Sequence, residues 1–121
     1  MANLTLFEIL FIVHLIMDFI FQRQWEGLNK HTRLKALIFH CSIYTIGFIP
    51  VFWFLNINFL WLIVIFASHF IIDQNSIVLW ILEKFKGIKE EKTSESIWTL
   101  LLIGTDQMLH VFVLILIIIF Q

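Results

Sequence analysis

Four stretches of this chain are each apolar for about the length a helix needs to cross a bilayer, and they leave little room for anything else. They cover roughly residues 4–21, 36–55, 57–80 and 97–120. About 20 helical residues span a hydrocarbon core. Helices are expected because each one satisfies its own backbone polar groups where no water is present. With 60% of residues hydrophobic and 14% charged, the chain lacks the polar surface a soluble domain of 121 residues requires. The expected fold class is all-α: a polytopic membrane protein whose residues 1–121 form a single four-helix transmembrane domain. The first run has no basic segment before it and no small-residue cleavage site after it, so it is expected to remain as a membrane helix. A net charge of −1 gives no support for nucleic-acid binding, and a single cysteine, Cys41, excludes an internal disulfide or a multi-cysteine metal site.

The basic residues predict the orientation. Arg23, Lys30, Arg33 and Lys35 lie between the first and second runs, and Lys84, Lys86, Lys89 and Lys92 between the third and fourth. In a four-span topology these two loops share a side. The positive-inside rule makes that side cytoplasmic and puts both termini outside. Trp53 and Trp61 then flank the outer turn, while Trp25, Trp80 and Trp98 flank the inner loops, in the manner of an aromatic belt. The Asn56-Ile57-Asn58 connection is short enough to make a tight antiparallel hairpin of the second and third helices.

Within the apolar runs lie groups that are costly there. The first has His14 and Asp18, the second His40, the third His69 and Asp73, the fourth Asp106 and His110. Three pairs have i,i+4 spacing, which places both side chains on one helix face. The fourth helix runs opposite to the first and third, and its pair is written in the opposite order. In all three, the aspartate therefore falls on the cytoplasmic side and the histidine one turn deeper. His40 joins this layer. An aspartate at the centre of a span costs roughly 2.5–3.5 kcal/mol, so these groups are expected to face inward and to have partners.

One pair could simply bond to itself and hold two helices together. Three pairs and a fourth histidine at one level point instead to a shared ligand. Imidazole and carboxylate together suit a divalent metal, Zn²⁺ first, with Fe²⁺ or Mn²⁺ as alternatives. The expected ligands are His14, Asp18, His40, His69, Asp73, Asp106 and His110. Seven donors suffice for two ions, or for one ion with outer carboxylates orienting the histidines. Asp18, near the mouth, is the expected general base. Gln22 continues the His14/Asp18 stripe and is the expected contact for substrate. Tyr44 lies one turn deeper than His40 and is expected to bond to a neighbouring helix. Gln74 and Gln107 each sit about 100° around the helix from a site aspartate and are expected to make packing contacts. Glu8 belongs to the outer half, Cys41 is expected in the core and His31 in a solvated loop.

The segments HLIMDFIFQ (14–22), LIFHCSIY (37–44), HFIID (69–73) and DQMLH (106–110), with the basic loop after the first, resemble an uncharacterised family of small bacterial membrane proteins, the domain of unknown function 3307. The resemblance spans nearly the whole chain and implies a multi-pass protein of the bacterial cytoplasmic membrane, but no activity. The style of the site is also similar to that of bacterial membrane-bound metal-dependent hydrolases. The leading expectation is a metal-dependent hydrolase acting from the cytoplasmic leaflet on an amphiphilic substrate: a lipid phosphate, a lipid ester or a membrane peptide. An ion- or proton-coupled transporter or metal sensor is the second reading. A metal-stapled scaffold is the third. Membrane lipid is the expected partner, with a homo-oligomer compatible with each reading.

Overall fold

A computed structural model describes residues 3–121, which are mostly helical with no strand among them. Helix α1 (Leu6–Leu15) continues without a break into a π-helical turn at Ile16–Ile20. Short α2 (Gln24–Asn29) leads into α3 (Leu34–Leu55). Helix α4 (Leu60–Asp73) is followed by α5 (Ser76–Trp80), which extends through a second π-helical turn at Ile81–Phe85. A 3₁₀ turn at Glu90–Lys92 precedes α6 (Glu95–Phe120).

Two of these helices, α3 and α6, are by themselves long and apolar enough to cross a membrane. The α4–α5 pair passes the same test only as one span bent by 54°. The bend has a local cause: Asn75 takes a left-handed conformation at φ 64, which asparagine tolerates better than most residues. The α1 segment has fifteen residues in all, or about 22 Å of rise, less than the roughly 30 Å of a hydrocarbon core. It stops short because the chain becomes extended at Arg23 and turns back into α2.

The local signals at the ends are clear. Thr5 and Glu8 form a reciprocal capping box at the start of α1, so Glu8 is spent on the helix terminus. Ser94 caps α6 through Ile97 N–H. Asn56, left-handed at φ 53, ends α3 and opens the hairpin to α4. Helix α3 runs unbroken through Pro50.

Buried positions recur at i+4 on every long helix: Leu10, His14 and Asp18; His40, Tyr44, Phe48 and Phe52; Ile65, His69 and Asp73; His110 and Leu114. The bundle therefore packs in layers. Leu10, Phe48, Ile65 and Leu114 belong to an apolar core with Phe52, Ile57 and Ile117. One turn away come His14, Tyr44, His69 and His110, and one turn further Asp18, His40, Asp73 and Asp106. A second apolar cluster of Ile72, Val78, Leu82 and Trp98 closes α5 against α6. Of the five tryptophans expected in an aromatic belt, Trp98 is instead a core residue and Trp61 is half-buried against the core, whereas Trp25, Trp53 and Trp80 are exposed.

The close approach of α1 to α3 depends on Gly47. A methyl group there would overlap the Met17 side chain. We expect Gly47→Val to lower stability by about 1–3 kcal/mol through overpacking. Combining it with Met17→Ala should return much of the loss, as read from thermal unfolding by tryptophan fluorescence.

Candidate metal centre

Asp73, from the last turn of α4, is the fully buried focus of the polar layer. Its Oδ2 lies 2.9 Å from Lys30 Nζ, 3.2 Å from His40 Nε2 and 3.3 Å from His69 Nε2. Its Oδ1 lies 3.2 Å from His110 Nε2. Asp18 enters from the π-helical turn that ends the first helix, a local widening often found at functional sites. Asp18 Oδ1 is 3.2 Å from His40 Nε2 and 3.8 Å from His69 Nε2. The two imidazoles face each other with their Nε2 atoms 2.9 Å apart.

Four atoms thus converge: His40 Nε2, His69 Nε2, Asp18 Oδ1 and Asp73 Oδ2. The five separations just given run from 2.9 to 3.8 Å. A tetrahedral ion with bonds of about 2.0–2.1 Å holds its ligand atoms about 3.3–3.4 Å apart, near the middle of that range. The two carboxylate oxygens that face the centre, Asp18 Oδ1 and Asp73 Oδ2, are buried without a hydrogen bond of good geometry. Their partner oxygens are engaged elsewhere, Asp18 Oδ2 by Gln107 and Asp73 Oδ1 by His110. The donor set therefore fits a divalent cation. A second trio, Asp18, Asp106 and His110, also brings one ligand atom each within 4.8 Å of the others, and His110 Nε2 is 3.6 Å from Asp106 Oδ2.

His14 stands apart from both groups. Gln107 inserts between it and Asp18, so their i,i+4 spacing produces no direct pair. The Gln107 amide donates to Asp18 Oδ2 at 2.8 Å and to Asp106 Oδ2 at 3.1 Å. That orients its carbonyl oxygen to accept from His14 Nε2–H at 2.9 Å. His14 Nδ1 is then the acceptor for the Tyr44 hydroxyl at 2.7 Å, the bond to a neighbouring helix expected for Tyr44. Above the carboxylates the rings stack: Tyr44 on His69 with centroids 3.7 Å apart, and His69 on His110 at 4.3 Å.

Three contributors are not evident from the sequence alone. Gln107 is central rather than a packing residue, because α6 packs on both α1 and α4 and its inward arc is wide enough for Asp106 and Gln107 together. Gln74, its counterpart after Asp73, is exposed. Lys30 is buried against Asp73 and, at 3.8 Å, Asp18, although its run of basic residues reads as a topology signal. Burial opposes its ammonium, but Asp73 and Asp18 outweigh that effect and hold its pKa above the ordinary lysine value. Glu26, 1% exposed, takes a 2.6 Å bond from Arg23 Nε and places Oε2 3.6 Å from His40 Nδ1. A carboxylate behind a ligating histidine is the usual way its ring is oriented. The available signal was the Glu26–Lys30 spacing of four in QWEGLNK, which puts both on one face of a short helix. His31 is exposed, as expected, yet its Nδ1–H donates to the Asp73 carbonyl oxygen at 2.7 Å, one of the carbonyls left free where α4 ends.

A cavity of about 370 Å³ opens beside these groups, lined by Asp18, Gln22, Lys30, His31 and Asp106 among others. Gln22 Oε1 and Asp106 Oδ1 are buried there without partners.

Residues 6–121 match the family described as protein of unknown function (DUF3307). The chain belongs to that family. No curated protein and no solved structure matches it.

Replacing Gln107 with Leu orphans the His14 Nε2–H and an Asp18 oxygen at once. At about 1–3 kcal/mol for each buried unsatisfied group, the variant should melt well below the parent, as differential scanning fluorimetry can measure.

Proposed function

We propose that this chain is a four-span membrane protein with both termini outside, and that its polar layer is a metal-dependent hydrolytic site open to the cytoplasmic leaflet. The observation that carries the reading is the convergence of His40, His69, Asp18 and Asp73 at separations close to those of a tetrahedral ion's ligands, with two buried carboxylate oxygens facing one another's histidines, Lys30 beside them and a cavity alongside. Two nitrogens and two oxygens suit Zn²⁺, and Fe²⁺ or Mn²⁺ accept the same donors. Asp106, His110 and the shared Asp18 offer room for a second ion.

His40, His69, Asp18 and Asp73 would hold such a dication, which would supply Lewis acidity and make a water acidic enough to serve as nucleophile near neutral pH. Asp106 suits the role of general base better than Asp18. Asp18 has one oxygen on the metal set and the other on Gln107, whereas Asp106 Oδ1 is unpartnered and Asp106 lines the cavity. Gln22 is placed to accept a hydrogen bond from substrate, and the Lys30 ammonium to stabilise negative charge developing at the reacting centre. The apolar layer of Leu10, Phe48, Ile65 and Leu114, backed by Phe52 and Ile117, closes the outer half and weighs against a transport path.

Protein purified in detergent without chelators should hold at least one Zn²⁺, Fe²⁺ or Mn²⁺ per chain by elemental analysis. His69→Ala and Asp73→Asn should lose it, and His14→Ala, outside the convergent set, should keep it. A metal-free parent would leave a Lys30–Asp–His network that serves only to hold the helices together, and the hydrolase reading would fall.

The topology has its own check. A cysteine placed at Asn58 should react with an impermeant maleimide from the outer face of intact cells, and one at Lys89 only after permeabilisation. The opposite pattern would invert the orientation.

A further inference from the structure

The polar cavity does not end at its own rim. An apolar groove of about 640 Å³ runs between α1 and α6, and Phe19 and Gln107 line both spaces. The groove passes Phe11, Leu15 and Phe19 on α1 and Met108, Phe112 and Ile115 on α6. From Phe11 to Phe19 is eight residues, or about 12 Å of helix rise. That is most of the roughly 15 Å depth of one leaflet's hydrocarbon. Phe19, Met108 and Phe112 are more than half exposed, so the groove is open along its side. At Phe19 and Gln107 it adjoins the polar cavity, whose own lining includes Asp18, Asp106 and Lys30.

We propose that the substrate is an acyl lipid that enters sideways from the bilayer between α1 and α6. Its polar head lies in the cavity beside Asp18, Asp106 and Lys30, and one acyl chain lies along Leu15, Phe19, Met108 and Phe112. Continuity between an ionic chamber and an apolar slot specifies an amphiphile with one polar end. A helix about 10 Å across is too wide for a slot between two helices already packed together, and a soluble substrate would leave the groove without a role. The assignment of the lipid as substrate rests on the hydrolytic reading; its binding site does not.

The test uses the full chain in detergent and a phosphatidylglycerol bearing a diazirine near the end of one acyl chain. Photolabelling should saturate at one lipid per chain, with adducts on Phe11, Leu15, Met108 or Phe112. Leu15→Trp and Met108→Trp, which fill the groove, should each weaken labelling at least about tenfold, one decade of affinity. Unlabelled phosphatidylglycerol should compete, and glycerol 3-phosphate at the same concentration should not. Competition by diacylglycerol of equal strength would assign the recognition to chain and glycerol rather than to phosphate. Labelling that does not saturate, that falls equally on the outward residues Ile38 and Phe39, or that is untouched by both tryptophan variants would overturn the proposal. So would a cross-linked pair of chains joined through the groove, which would assign it to a second copy. Metal content is measured on the same samples: saturable labelling of metal-free protein supports the groove and overturns only the metal reading.

Discussion

The arrangement depends on one buried carboxylate. Asp73 carries charge at a position with no exposure, and an unpaired charge there would cost several kcal/mol. It is accommodated because three other segments and its own helix bring donors to it: Lys30 from the loop after α2, His40 from α3, His110 from α6 and His69 from α4 itself. Lys30 and His31 are consecutive, and they grip the same residue at two places, its side chain and its backbone carbonyl. The carbonyl is free because Asn75 breaks the helix two residues later. Helix break, loop position and buried charge are thus one mutually dependent unit.

The layers explain why the site has one open side. Each helix carries, in order along one face, an apolar residue, a ring and an acid or histidine. Packing four such faces together stacks an apolar floor, a set of rings and a polar chamber. Tyr44 completes the ring layer where α3 has no histidine, and Gln107 ties that layer to the carboxylates below it. Hydrogen-bond roles follow without ambiguity from the Gln107 amide: once its N–H groups are committed to two carboxylates, its oxygen must accept from His14, and His14 must accept from Tyr44. Among the described residues, the buried side-chain atoms without a hydrogen-bond partner include the carboxylate oxygens that face the centre, Gln22 Oε1 and Asp106 Oδ1 at the cavity, and Glu26 Oε2 and His69 Nδ1 behind the ligating rings.

The same set of charges can be read with or without an ion. Lys30 reaches the very oxygens, Asp73 Oδ2 and Asp18 Oδ1, that face the four-atom centre. A dication would share those oxygens with the ammonium or displace it, and either event would be felt by α2, which Glu26 also pins to His40. Short α2 therefore links the state of the centre to the loop that covers it.

Periodicity alone was enough to read much of this. Apolar runs about twenty residues long dictate helices, and i,i+4 spacing puts His69 with Asp73 and Asp106 with His110 on shared inward faces, because helix geometry is local. It was also enough to place His40 and Tyr44 one turn apart on the same stripe. Which groups actually meet is not local. His14 has the same spacing to Asp18 as the other pairs, yet Gln107 arrives from α6, 93 residues away, and separates them. Lys30 and Glu26 lie in a stretch that reads as a solvated basic loop, and only the turn after Phe21 and the packing of α2 on α3 bury them. Sequence determined the faces; the tertiary structure decided the partners, because a buried charge is satisfied by whichever chain segment packing brings within reach.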